Sequence, residues 1–212
     1  ALSQEVELLP YRADGVWNNG DHPRTHDQNA QGLHESHSTY DPHFWLDPLR
    51  VQAIVPKIVQ TLSDIDHPNA ERYLANGEKL SRRLRDLNDR LQARLLPVRE
   101  RPYLVYHDAY QYFEKRFALR AVGAVALDPE HRPGARHLGE IYRRLRRGDI
   151  RCIFREPQFN PPMLRPGSEF GKLRVAVLDP LGARIKAGSR AYFKMLENLA
   201  ESMVSCLGVK DN

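Results

Sequence analysis

Apolar residues recur along the chain in two rhythms, and the change between them divides it. From Asp47-Pro48 onward, Val51, Ile54, Val55, Ile58, Val59 and Leu62 fall at i, i+3, i+4, i+7, i+8 and i+11, the spacing of one apolar helix face. Asp47 supplies an N-cap carboxylate, and Pro48 occupies the first helical position, where no amide hydrogen is missed. Pro56 lies inside this pattern and predicts a kink, at about 3 kcal/mol unless packing compensates. A second start at His67-Pro68 leads to Leu80, Leu84, Leu87, Leu91 and Leu95, a stripe that stops at Pro97. It predicts a helix of about 28 residues, near 40 Å at ~1.5 Å per residue, long enough to run along the body of the molecule or join two lobes.

After residue 102 the pattern shortens. Tyr103 to Tyr106, Ala121 to Leu127, Ile150 to Phe154 and Leu173 to Leu178 are apolar runs of strand length. Helical patterns follow them over 109–117, 134–147, 160–169 and 189–207. Four strand-helix repeats predict an α/β unit with a parallel sheet and helices on its faces, and ligands bind such sheets beyond the carboxyl ends of the strands. At the other end of the chain, Val6 to Pro10 reads as a strand or a helix end, and residues 17–40 contain almost nothing apolar, which predicts a mobile loop.

Composition adds limits. The chain has 212 residues, 41% hydrophobic and 28% charged, enough for one large or two small domains. No run of about 18 apolar residues suggests a membrane span. Ala1 to Glu5 does not read as a signal peptide, leaving a chain that is not exported or one whose signal has been removed. The net charge of +5 concentrates in the arginines of 82–85 and 143–147. Asp86, Asp89, Glu140 and Asp149 stand close to them and no aromatic residues interleave, so these are solvated helix faces and no nucleic-acid partner is expected. Cys152 and Cys206 are too far apart for a zinc knuckle. The residues leave open two buried thiols or a bridge worth roughly 4 kcal/mol in an oxidising compartment.

The candidate chemistry is metal binding. His22, His26, His34 and His37, with Asp21, Asp27 and Glu35, make the 17–40 loop a low-affinity metal collector. His43, fixed between Pro42 and the Phe44-Trp45 pair just ahead of a helix cap, is a pre-positioned imidazole. It also reads as a loop histidine satisfied by backbone. The strand ends place His107, Glu156 and Asp179 on one edge of the sheet, with Asp108 as an N-cap or as a partner for an imidazole. Two histidines and a carboxylate suit zinc. The bland alternatives are a turn-forming Asp179 and a Glu156 paired with an arginine.

The segments DPHFWLDP (41–48), YHDAYQYFEKRFAL (106–119), CIFREPQFNPPML (152–164) and VLDPLG (177–182) carry a family resemblance. In this order and spacing they resemble the periplasmic zinc-binding proteins of bacterial high-affinity zinc ABC transporters, in the zinc and manganese group of solute-binding proteins. The resemblance runs from about Leu9 to Gly208. It implies two α/β lobes joined by a rigid long helix, with residues 1–66 as an N-terminally truncated, incomplete N-terminal lobe, 67–97 as the helix and 98–212 as a four-stranded parallel β/α lobe. It implies that His43, His107 and Asp179 ligate Zn2+, that the histidine loop assists, and that Cys152 and Cys206 form a disulfide. Manganese members carry glutamate where this chain has His107, so zinc is implied, delivered in the periplasm to a membrane permease, with no enzymatic activity. Family members carry a preceding half-lobe that supplies another histidine. Its lack implies an open coordination position, filled by water, His34 or His37, and self-association over exposed apolar surface. A fragment acting only as an interaction domain is the alternative reading. A zinc hydrolase with Glu156 or Asp108 as base has no oxyanion device in the sequence to support it.

Overall fold

The structure is a computed structural model that describes residues 6–12, 15–17, 40–126, 133–159, 162–164, 170 and 173–208. Helix α1 (Pro48–Ile65) starts where the sequence places it, with Asp47 Oδ1 accepting from the Leu49 amide at 2.9 Å. It continues through Pro56, whose ring faces solvent, so the carbonyl the proline leaves free can be hydrated there. A 3-10 turn over His67–Asn69 reverses the chain into α2 (Ala70–Leu95), 26 residues long. The two helices approach closely at Gly77, where a Cβ would stand 2.5 Å from Val59 Cγ2.

Four strands follow: β1 (Tyr103–His107), β2 (Ala121–Ala126), β3 (Cys152–Arg155) and β4 (Arg174–Val177). They form one parallel sheet in the order β2-β1-β3-β4. Its connections carry α3 (Gln111–Phe117) and α4 (Ala135–Leu145), and α5 (Ala191–Leu207) follows β4. The expected helix over 160–169 is, among the described residues, a 3-10 turn over Pro162–Leu164, in a stretch where prolines remove amide donors.

Alternation along β1 sorts the core into two layers. Tyr103 and Val105 face Leu84, Leu87, Leu91 and Leu95 of α2 and Leu196, Leu199 and Met203 of α5. Leu104 and Tyr106 face the other way, with Val125, Ile141, Ile153 and Phe170. Near-continuous burial of β1, β2 and β3 is what a sheet covered on both faces requires. A disulfide between Cys152 and Cys206 joins the start of β3 to the last turn of α5, which decides between the two cysteine readings.

Residues 15–17 run antiparallel along the outer edge of β2, where Trp17 N–H donates to Val122 O at 3.0 Å and Ala124 N–H to Gly15 O at 2.9 Å. Gly123 permits that approach, since a Cβ there would lie 2.6 Å from the Gly15 oxygen. Among the described residues, no helix is long and apolar enough to cross a membrane.

Candidate metal centre

The chain leaves β1 for β2 on one side and later adds β3 and β4 on the other, so the strand order reverses between β1 and β3. A crevice opens at the carboxyl ends of strands at such a point. His107, the last residue of β1, stands on one wall. Glu156, the residue after β3, stands on the other, 2% exposed, with Oε1 3.7 Å from His107 Nδ1. Tyr110 O–H donates to Glu156 Oε1 at 2.9 Å and also lies 3.2 Å from the Leu178 carbonyl oxygen. Glu156 Oε2 is buried and has no hydrogen-bond partner among the described residues. Burial pushes the Glu156 carboxyl up to about 7, against the Tyr110 hydrogen bond that favours its charged form.

His43 comes to the same crevice on the segment that leads into α1. Its ring centre lies 5.4 Å from that of His107, with the planes at 74°. Asp41, 1% exposed, accepts from the His43 backbone N–H at 2.9 Å and contacts Nδ1 at 2.6 Å through the same oxygen. Its other oxygen accepts from Gln111 Nε2 at 3.3 Å. A carboxylate surrounded by donors takes the Nδ1 proton as a third, which leaves His43 Nε2 as the lone-pair nitrogen.

The segment is held from several sides. Tyr112 O–H donates to Asp41 O at 2.7 Å and accepts from Leu9 N–H at 2.8 Å. Arg116 makes a two-pronged pair with Asp47, both contacts at 2.8 Å. Trp45 Nε1–H donates to Pro180 O at 2.9 Å, and Tyr192 O–H donates to Trp45 O at 2.8 Å. The Trp45 bond ties the turn that begins at Asp179 to the rim carrying His43. Asp179 itself accepts from Leu181 N–H at 3.3 Å.

The structure therefore pairs His43 with His107. Among the described residues, no three His, Cys, Asp or Glu side chains stand together as a group that could hold a metal, so Asp179 is not gathered with the two rings. His22, His26, His34 and His37 lie outside the described residues. Asp108, expected as an N-cap or imidazole partner, turns to Arg12 instead. Arg12 Nε–H donates to Asp108 Oδ2 at 3.0 Å and Nη1–H to Glu114 Oε2 at 2.8 Å, and its guanidinium lies 3.5 Å over the Trp17 ring. Burial raises both carboxyls and the arginine opposes the rise.

Asp41 and Gln111 lie inside the segments that carry the family resemblance, but the sequence does not disclose their roles. The signal for Asp41 is an acidic residue two positions before a histidine, which can accept that residue's amide in an Asx-type turn.

A sequence model of the family described as zinc-uptake complex component A, periplasmic, matches residues 2–206. The high-affinity zinc uptake system protein ZnuA of Brucella abortus is 39% identical over 168 residues, covering 79% of this chain and 50% of that protein. A crystal structure of a zinc-bound ZnuA deletion mutant aligns with a TM-score of 0.68 at 25% identity, over 82% of this chain and 63% of the other. A further crystal structure of ZnuA covers 98% of this chain and 69% of its own, with a TM-score of 0.70 at 23% identity, a likeness of fold. The chain spans about half the length of the curated relatives it matches.

Proposed function

The chain belongs to the family of the periplasmic zinc-uptake complex component A, and from that footing we propose that it captures a zinc ion between His43 and His107. The pairing of those rings carries the reading. Two imidazoles on one tetrahedral zinc, with Zn–N bonds of about 2.05 Å, have their ring centres about 5.2 Å apart. The observed separation is 5.4 Å. Asp41 leaves His43 Nε2 free to ligate, and an imidazole at position 107 suits zinc better than a harder ion.

Asp179 is the third ligand in this reading, reached by movement of its turn, and the histidines at 22, 26, 34 and 37 act as an auxiliary collector. The work is capture and release in the periplasm, with hand-over to the membrane permease of an ABC uptake system, and not catalysis. Ile58, Leu62, Ile65 and Leu74, which are 39, 40, 78 and 56% exposed, form the surface through which copies would associate. Sedimentation across a concentration series tests that association, and a monomer throughout removes it.

Calorimetric titration of the metal-stripped chain with zinc tests the capture. One high-affinity site is expected, weakened more than about 100-fold by His43→Ala or His107→Ala, beyond the effect typical of an outer partner. Asp179→Asn is expected to weaken it less. Equal binding by both alanine variants, or none by the parent chain, overturns the proposal.

A further inference from the structure

Each of the two crevice histidines has its own buried carboxylate, and both carboxylates are held by neighbouring residues where α3 begins. Gln111 Nε2 donates to Asp41 Oδ2, and Asp41 Oδ1 contacts His43 Nδ1. Tyr110 O–H donates to Glu156 Oε1, which faces His107 Nδ1. Tyr110 is fully buried and Gln111 is 4% exposed, so neither hydrogen bond competes with bulk water. Gln111 also donates to Pro10 O at 3.0 Å, which fixes its amide plane between two acceptors. Successive residues at a helix entrance thus hold the carboxylates beside both histidines.

We infer that Tyr110 and Gln111 are positioning residues for the zinc site: Gln111 sets the ring orientation and tautomer of His43 through Asp41, and Tyr110 holds the Glu156 carboxyl that stands 3.7 Å from His107 Nδ1. The inference rests on the capture reading for its consequence, but its physical content belongs to the metal-free protein. A ring whose Nδ1 is hydrogen-bonded to an acceptor, as that of His43 is to Asp41, keeps its proton there and offers Nε2 outward. Because one helical entrance fixes both carboxylates, it also fixes the separation of the two rings. A surface histidine has no such constraint and exchanges tautomers freely.

The isosteric variants Gln111→Met and Tyr110→Phe remove the donors and keep the volume. Zinc affinity is expected to fall at least about 10-fold in each. In the metal-free Gln111→Met variant, nitrogen NMR of the imidazoles should show His43 moving from the Nδ1–H form to a mixture, and in Tyr110→Phe the His107 ring resonances should shift. Ile153→Val, a core change on the opposite face of the sheet, is the control for lost stability, and it should leave both affinity and tautomers unaltered.

Unchanged tautomers and unchanged affinity in folded variants overturn the inference, with the capture reading intact if the parent chain binds zinc. A parent chain that binds no zinc, with the tautomers still responding as stated, leaves the inference standing and removes the capture reading. Weakened binding in the control to the same degree as in the variants reduces the effect to stability and also overturns the inference.

Discussion

Ala118 ends α3 with φ at 52°, in the left-handed region that costs a residue with a Cβ about 1–2 kcal/mol and glycine little. Ala118→Gly should therefore gain about 1 kcal/mol in urea unfolding, less what the unfolded glycine gains in freedom. Asp149 works in the opposite direction. Its two oxygens accept from the buried Arg144 at 2.6 and 3.0 Å, and these hydrogen bonds hold its carboxyl below the usual range. A lowered folded value means that the stability is present above about pH 4 and is lost as pH falls through the lowered value. Asp149→Asn should lower the melting temperature at pH 7 and converge with the parent in acid, once the parent's carboxylate is protonated. With the carboxylate 43% exposed, solvent screening keeps the difference below about 1 kcal/mol. At this scale the sequence disclosed the histidines and placed Glu156 on the same sheet edge as His107, but it did not disclose the partner of His43. His43 and His107 stand at element ends that can be read from caps and apolar runs. Asp41 acquires its role from a ring rotation and from an amide on α3, and Asp108 is claimed by Arg12, from a stretch with no periodicity to place it.

The elements themselves were largely legible. The leucine stripe of α2 is buried at 84, 87, 91 and 95, and each apolar run after residue 102 became a strand; in β1, β2 and β3 burial on both faces demands continuous apolar text, whereas β4 alternates with Val175 and Val177 exposed. What periodicity could not show is how closely two helices approach. Gly77 looks like a weak point in α2, since glycine costs about 1 kcal/mol in a helix interior. It is where Val59 of α1 packs, so Gly77→Ala should lose about 1 kcal/mol net, overpacking exceeding the gain in helix propensity. Pairing it with Val59→Ala should recover part of that loss, and a double-mutant cycle by chemical denaturation reads the coupling. Additive effects would mean that the helices separate without penalty.

Over the whole molecule, the disulfide and the sheet order place distant segments in one frame. Cys152 and Cys206 are separated by 54 positions, a loop whose closure in the unfolded chain is worth about 4 kcal/mol. Replacing both with serine should lower stability by that order without moving the histidine pair, which lies at the opposite end of the strands. Zinc titration of the folded double variant at low temperature should match the parent. The parallel sheet was readable from the repeat, but its strand order, and with it the reversal point, was not, because repeats alone do not say on which side of β1 each later strand is added. The route of residues 6–12 and 15–17 was not readable either, because its anchors are scattered contacts with no periodicity: Leu9 to Tyr112, Pro10 to Gln111, Arg12 to Asp108 and Glu114, and residues 15–17 to the β2 edge.

The clamps on the segment from Asp41 to Asp47 reach partners 69 to 147 positions away, the farthest being Tyr192. A nascent chain emerging in order therefore has no assembled crevice until α5 has been synthesised and docked, and contacts of such separation form late. Ions met during synthesis would encounter the histidines singly. On the proposed capture reading, loading is then an event of the finished protein, and zinc does not serve as the seed around which the chain folds.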